Sequence, residues 1–469
     1  MFNISDILKA TGGTLLSKAK SRMPIPGLSI DSRSIKKGEL FIAIKGDRFD
    51  GHDFIGDALK KGASGAVLKR MPAAKIADTQ IIIKVKETTR ALGDIAAFHR
   101  RRFNIPVIGI TGSNGKTTVK DMASFILEKR YNVLKNNGTE NNYIGVPLTL
   151  LRLQKRHSTA ILEMGANHHG EIDRLTEIVR PTIGLITGIG PSHLEFFKDE
   201  LGVLKAKTEM VRRLSKEDLV ILNGDDKLLS RIKPRCKKIE FGLKAGNDYR
   251  ATDIKIDKKI SFLLNGVYRL KIKTLGWHNL YNALASIVVA RRLGIDMSVI
   301  KNALLDFKTP SMRMELKRVK GINIIDDAYN SNPLSLKWAI ETLSQFKTKG
   351  RRILVSGDML ELGDKSKLFH TLAGRAVASS SVDSFIGVGR FSRFAIDGAS
   401  RAGMKRQSLW SCSTAEEASG VLKRVAKRGD AVLVKGSRGM CMEKIIERLS
   451  NEAMTYGAPK ARRKSCGRI

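Results

Sequence analysis

The chain is 469 residues long, room for about three domains of common size, each able to bury its own core. It carries 84 Lys and Arg against 46 Asp and Glu, a formal charge of +38 that favours acidic partners such as phosphates, nucleotides or nucleic acid without choosing among them. Hydrophobic residues at 42%, with 42 Gly and only 11 Pro, exclude a disordered, collagen-like or coiled-coil chain, and no apolar run nears the roughly 18 residues that span a bilayer.

The amino terminus, MFNISDILKATGG, has no basic stretch leading into an apolar core, so a cytoplasmic address is expected. Up to about residue 103, short apolar runs (Leu40 to Ile44, Gly65 to Leu68, Ile81 to Val85) alternate with turn clusters such as GDRFDG and lead into a predicted helix from Thr88 to Arg102, a small α/β domain over 1–103. A second domain, 104–310, opens with the β-rich run PVIGIT, the glycine loop GSNGK, and a helix in which Val119, Met122, Ala123 and Ile126 recur at helical spacing. Further strands are predicted at Ala160 to Leu162, Ile183 to Thr187 and Leu219 to Leu222, with room between them for crossover helices, the pattern of a mainly parallel sheet. From 311 to 469 a second alternation places strands at Ile322 to Ile325, Ile353 to Ser356, Phe385 to Val388 and Ala431 to Val434, with helices near 334–346, 366–379 and 414–427, which predicts a separate doubly wound, Rossmann-like sheet. The four cysteines (Cys236, Cys412, Cys441, Cys466) form no CxxC pair and indicate neither a disulfide framework nor a cysteine zinc site. The last ten residues, KARRKSCGRI, carry five positive charges and read as a solvated tail.

The chemistry starts at GITGSNGKTT (109 to 118). Gly112, Ser113, Asn114 and Gly115 allow backbone N–H groups to converge on an anion at the positive end of the following helix; Lys116 adds a point charge, and the Thr117 hydroxyl, followed by Thr118, is placed to ligate magnesium. The strict GxxxxGK[ST] signature is missed, since Ile110 stands five before Gly115, so this is a variant phosphate loop. Glu163 ends the strand in ILEMG, at the edge where a parallel sheet gathers ligands: alone it reads as a plain acid, beside a phosphate loop as a magnesium ligand. The next strand leads to Pro191, Ser192 and His193, and His193 alone reads equally well as a structural histidine. Lys207 is, by composition, one lysine among many.

These segments, with NNGTENNYIGVPLTLLRL (136 to 153), EMGANHHGEI (163 to 172), GIGPSHLEFF (188 to 197), WHNLYNALAS (277 to 286), IDDAYNSNPLS (325 to 335), GDMLELG (357 to 363) and VLVKGSRGMCMEKII (432 to 446), resemble the Mur ligases in the family's order and over nearly the whole chain. Within the family, IDDAYNSNP and VLVKGSRGM are similar to the member that joins D-alanyl-D-alanine to UDP-N-acetylmuramoyl-tripeptide. The resemblance implies an ATP-driven ligase of three α/β domains: a small uridine-nucleotide domain, a central ATP-binding domain and a carboxyl-terminal domain for the dipeptide. It implies that Lys116 meets the β- and γ-phosphates, that Thr117 and Glu163 hold magnesium, that His193 sits near a second magnesium, and that Lys207 is the lysine relatives carbamylate, which requires a neutral amine. Asn282 corresponds to an adenine contact, Arg313 to a γ-phosphate contact made on domain closure, and Asp327 and Asn330 to ribose and phosphate contacts. Ser32 and Arg33 in SIDSR, and Asp50 in KGDRFDGHDF, resemble uridine-binding segments, although such clusters also serve as plain turns; Asn142 is the candidate for the peptide or pyrophosphate side. The chain departs from the family at Gly188, where asparagine is usual, and at Phe197, where a glycine following the phenylalanine is usual. A monomer without membrane span is expected. A nucleic-acid-dependent P-loop ATPase, a sister amino-acid ligase and a noncatalytic scaffold are the competing readings; charges spread along the chain and the absence of nucleic-acid motifs disfavour the first.

Overall fold

The computed structural model describes residues 2–19, 23–72, 77–257 and 259–450; the basic tail at 460–469, with Cys466, lies outside them. The fold is α/β with mainly parallel sheets, in two compact units: residues 1–109, 131–165 and 170–183, and residues 110–130, 166–169 and 184–469. No helix among the described residues is long and apolar enough to cross a membrane.

The first unit starts with helix Ile4–Thr11, whose entry is fixed by reciprocal hydrogen bonds between Asn3 and Asp6 and whose exit is the left-handed Gly12. A five-stranded sheet runs in the order Thr14–Leu15, Ile81–Lys84, Gly65–Leu68, Leu40–Ile42, Leu28–Ser29, parallel except at the first pair. Its strands are apolar on both faces because helices cover both. Leu40, Ile42, Val67, Ile81 and Ile83 pack with Ile4, Ile7, Leu92 and Ile95, while Phe41, Ala66, Leu68 and Ile82 pack with Ile55 and Ala58. Only glycine fits at position 65, where a Cβ would lie 1.9 Å from the Ile81 carbonyl oxygen. The expected strand through Ile44 stops at Ile42, because Ile44 donates to the Ile42 carbonyl and then accepts from Gly51. The parallel pair Val133–Lys135 and Thr159–Glu163 also belongs to this unit and ends on Glu163.

In the second unit, Leu219–Asn223, Lys237–Gly242 and Tyr249–Ile256 pair in parallel. Ile260–Leu264 and Tyr268–Ile272 then extend this ladder antiparallel, turned at Asn265 and Gly266, both of positive φ as a tight hairpin requires. Helix Trp277–Arg292 is buried at nearly every position from Asn279 to Ala290 and packs on helix Lys116–Leu127. A six-stranded sheet follows in the order Glu315–Val319, Ile322–Asp327, Ala431–Lys435, Arg352–Gly357, Ser384–Val388, Leu409–Cys412, antiparallel only at the first pair. The last strand in sequence, Ala431–Lys435, inserts between the two earlier ones, so the carboxyl ends at Asp327, Lys435 and Gly357 lie side by side at the order switch where open α/β sheets gather ligands.

Candidate active site

The phosphate loop is built on two glycines of positive φ. A Cβ on Gly112 (φ 139°) would lie 2.1 Å from Thr187 Oγ1, and one on Gly115 (φ 83°) would lie 2.3 Å from Asn282 Oδ1. Helix Lys116–Leu127 starts directly at Gly115, so its first free N–H groups point into the loop. Lys116 folds back, its ammonium donating to the Gly112 carbonyl at 2.8 Å. Residues 187–192 brace the loop: the Ser113 N–H donates to the Gly188 carbonyl at 2.9 Å, the Ser192 hydroxyl to Ser113 Oγ at 3.1 Å, and the Thr187 hydroxyl to the Asn114 carbonyl.

Behind the loop, Asn282 is 4% exposed and donates to Asn279 Oδ1 at 2.9 Å, while Asn279 donates to Thr274 Oγ1 and the Leu275 carbonyl. His278 stacks on Trp338, with ring centroids 5.8 Å apart; burial pushes its pKa down to about 4.

The six-stranded sheet reaches this loop with two side chains. Arg313 donates to Thr117 Oγ1 at 3.0 Å while its guanidinium lies 4.1 Å over the Tyr329 ring. Asn332 and Asn114 exchange amide hydrogen bonds of 2.9 and 3.3 Å. Asn332 also caps helix Pro333–Gln345 through the Ser335 N–H. At the order switch, the buried Lys435 ammonium donates to Asp327 Oδ2 and to the Asn330 carbonyl, and the Met314 N–H donates to Asp327 Oδ1.

His193 Nδ1 stands 2.5 Å from Glu361 Oε2, a contact of ion-pair length off the line of a well-aligned hydrogen bond, and the imidazole holds the Glu361 carboxyl below the usual range. Lys207 is 1% exposed; it donates to the Ala166 carbonyl at 3.0 Å and lies 5.4 Å over the Phe197 ring. Phe197, where the chain departs from the family, is thus buried beside that ammonium. The departure at Gly188 leaves ordinary room, since a Cβ there would meet nothing nearer than Asp226 Oδ2 at 3.6 Å.

Glu163, Asn142, Ser32, Arg33 and Asp50 lie in the first unit. Glu163 is 1% exposed; Oε1 accepts from Asn141 at 2.7 Å, whereas Oε2 is buried with no hydrogen-bond partner. An unsatisfied buried carboxylate oxygen at a strand end suits a cation. Asn142 Oδ1 instead accepts from the Ile144 and Gly145 N–H groups and sets the entry to helix Gly145–Leu151. Ser32 is buried; Arg33 grips Asp31 through two hydrogen bonds, and Asp50 accepts from His52 and Arg70 while capping the turn at Gly51–Phe54. Among the described residues no three His, Cys, Asp or Glu side chains cluster as a metal site.

Three family models match: the Mur ligase family catalytic domain over 24–100, the Mur ligase middle domain over 110–290, and the Mur ligase glutamate ligase domain over 312–438. The UDP-N-acetylmuramoyl-tripeptide–D-alanyl-D-alanine ligase of Bacillus subtilis is 35% identical over 450 residues, 95% of this chain and 97% of that relative. The chain belongs to the Mur ligase family. The Escherichia coli ligase of the same name is 35% identical over 434 residues, 91% of this chain and 94% of its own. Among solved structures, MurF from Acinetobacter baumannii superposes with a TM-score of 0.88 at 31% identity, covering 96% of this chain and 99% of that one. MurF from Thermotoga maritima in complex with ADP gives 0.80 at 29%, covering 91% and 97%. As a Mur ligase the chain is an enzyme that forms a C–N bond.

Residue type alone does not single out Asn332, Glu361, Lys435 or Asn141. Asn332 had a signal, an Asn-Pro pair before an apolar helical run, which reads as a helix cap. The other three depend on which loops meet.

Proposed function

We propose that the chain joins D-alanyl-D-alanine to UDP-N-acetylmuramoyl-tripeptide with hydrolysis of ATP to ADP and phosphate, making the pentapeptide precursor of peptidoglycan. The observation that carries the reaction type is the Arg313 to Thr117 contact, which brings a cation of the six-stranded sheet onto the hydroxyl beside the phosphate-loop lysine. The likeness to ligases of that name over nine-tenths of the chain supports the substrate pair.

A carboxylate oxygen of the tripeptide attacks the γ-phosphorus, and the bond to the β-bridging oxygen breaks to release ADP. The dipeptide amine then attacks the acyl carbonyl, the nitrogen loses its proton, and phosphate leaves with the oxygen that came from the carboxylate. Two anions must approach in the first step, so the chain supplies fixed cations and N–H dipoles: the loop N–H groups and Lys116 at the β- and γ-phosphates, and Arg313 at the transferred group. Bringing the second sheet onto the loop also excludes water, which would hydrolyse an acyl phosphate. Asn282 contacts adenine, and Asp327 and Asn330, tied together by Lys435, line the ribose side. Thr117, Glu163 and His193 would each serve as magnesium ligands, and the metal would neutralise phosphate charge; the unsatisfied Glu163 Oε2 supports the part given to that residue. Carbamylation of Lys207 would turn a buried cation into an anion able to help hold magnesium. Ser32, Arg33 and Asp50 bind the uridine nucleotide and Asn142 its peptide or pyrophosphate side. The functional division is into 1–103, 104–310 and 311–469, and the enzyme works as a cytoplasmic monomer.

The test labels the terminal carboxylate of the tripeptide with oxygen-18. One labelled oxygen should appear in the released phosphate; unlabelled phosphate would contradict the acyl-phosphate route.

A further inference from the structure

Two non-glycine residues of left-handed backbone face each other in the second unit: His193 (φ 52°), at the head of helix Leu194–Phe197, and Glu361 (φ 60°), in GDMLELG. Such residues persist only where surrounding contacts over-determine them, and they gather at functional sites. Three contacts join the two segments here. Glu361 Oε2 stands 2.5 Å from His193 Nδ1, the Glu195 N–H donates to the Glu361 carbonyl at 3.1 Å, and the Lys365 ammonium donates to the Lys198 carbonyl at 3.0 Å. The loop that ends in His193 is tied at its other side to the phosphate loop, through Gly188 and Ser192 to Ser113. Glu361 comes from the six-stranded sheet, four residues beyond the end of Arg352–Gly357.

We propose that Glu361 is a positioning residue for phosphoryl transfer, holding Nδ1 of His193 so that the other ring nitrogen is aimed at the reacting phosphates, and doing so only while its sheet is seated on the phosphate loop. The inference rests on the ligase reaction proposed above. A ring nitrogen engaged by a carboxylate fixes the orientation of the imidazole and leaves a single nitrogen for a phosphate or its metal. Glu361 thereby makes the histidine of one sheet dependent on the seating of the other, so the sheet expected to bring the dipeptide also licenses the first chemical step. The Glu361 side chain is about half exposed, and replacing it leaves no hole in the core.

The experiment measures steady-state turnover of the full chain with all three substrates. Glu361→Ala and Glu361→Gln should lower kcat about 10- to 100-fold, the range for partners of a ligating histidine, with KM for ATP and the thermal midpoint near wild type. Glu361→Asp should recover part of the loss. In a His193→Ala background, adding Glu361→Ala should cost nothing more, because the carboxylate acts through that ring. Wild-type kcat in Glu361→Ala, or a double variant as slow as the product of the two singles, would overturn the proposal. Failure of the underlying ligase reaction would show instead in the wild type.

Discussion

Arg313 and Thr117, 196 positions apart in the chain, meet in a 3.0 Å hydrogen bond between a guanidinium and a hydroxyl. The bond joins the head of the phosphate-loop helix to the chain entering the six-stranded sheet, and it sets the first prediction. Arg313→Ala should lower kcat by about 10²- to 10³-fold, the usual cost of removing one preorganised donor from a developing anion. Arg313→Lys should not restore it, because an ammonium cannot reproduce the planar fork or its seat on Tyr329. ADP affinity, measured calorimetrically, should stay near wild type; a large loss of ADP affinity with unchanged kcat would move Arg313 from transition-state to ground-state binding.

Lys116→Ala should abolish turnover and leave the thermal midpoint in place. The ammonium bonds to the loop's own Gly112 carbonyl, an interaction the folded chain can lose to water. An active variant would remove the central cation from the mechanism.

Gly115→Ala should weaken ATP through two separate effects. A left-handed position costs a non-glycine residue about 1–2 kcal/mol. The new methyl would also lie 2.3 Å from Asn282 Oδ1 and push that side chain from its place. Asn282→Ala should by itself raise KM for ATP, and the double variant should be less impaired than the sum of the singles, since the clash is then gone. Strict additivity, or an unchanged KM in Asn282→Ala, would refute the adenine assignment.

His278 sets a pH dependence of stability. Burial lowers its pKa from 6.5 to about 4, so the unfolded chain binds a proton there that the folded chain does not. The contribution is present above the unfolded value and is lost as pH falls from 6.5 toward 4; it amounts to at most about 3 kcal/mol, less because the residue as a whole is only half-buried. Denaturation midpoints at pH 7 and pH 5 should differ more in the wild type than in His278→Phe, which keeps the stack on Trp338 but cannot titrate. Equal slopes in the two proteins would locate the acid sensitivity elsewhere.

The strands and helices that carry the site were legible because each is strongly apolar and bounded by turn residues: Val107–Thr111 and Ala431–Lys435 lie within one residue of the patterns that predict them, and Lys116–Leu127 contains the four residues whose spacing predicts a helix. The antiparallel extension at Tyr249–Ile272 was signalled by Asn265-Gly266 between alternating residues, a hairpin cue that the parallel pattern on either side obscured. The phosphate loop and Arg313 are local in sequence and announce their chemistry by residue type. Glu361 and Lys435 do not: one acid in GDMLELG and one lysine among many acquire meaning only when the loop after Arg352–Gly357 settles against His193 and strand Ala431–Lys435 pairs beside Asp327. Asn142 has a local role that residue type does not announce: its side-chain oxygen accepts from two backbone N–H groups at a helix entry, while its neighbour Asn141 holds Glu163.

The ligase reaction is decided by incubating the purified chain with magnesium-ATP, UDP-N-acetylmuramoyl-tripeptide and D-alanyl-D-alanine and following phosphate and the nucleotide-linked peptide by mass. One phosphate is expected for each pentapeptide formed, and no pentapeptide when any one substrate is left out. Intact ATP in the complete mixture, or phosphate release that requires DNA or RNA and ignores the dipeptide, would contradict it.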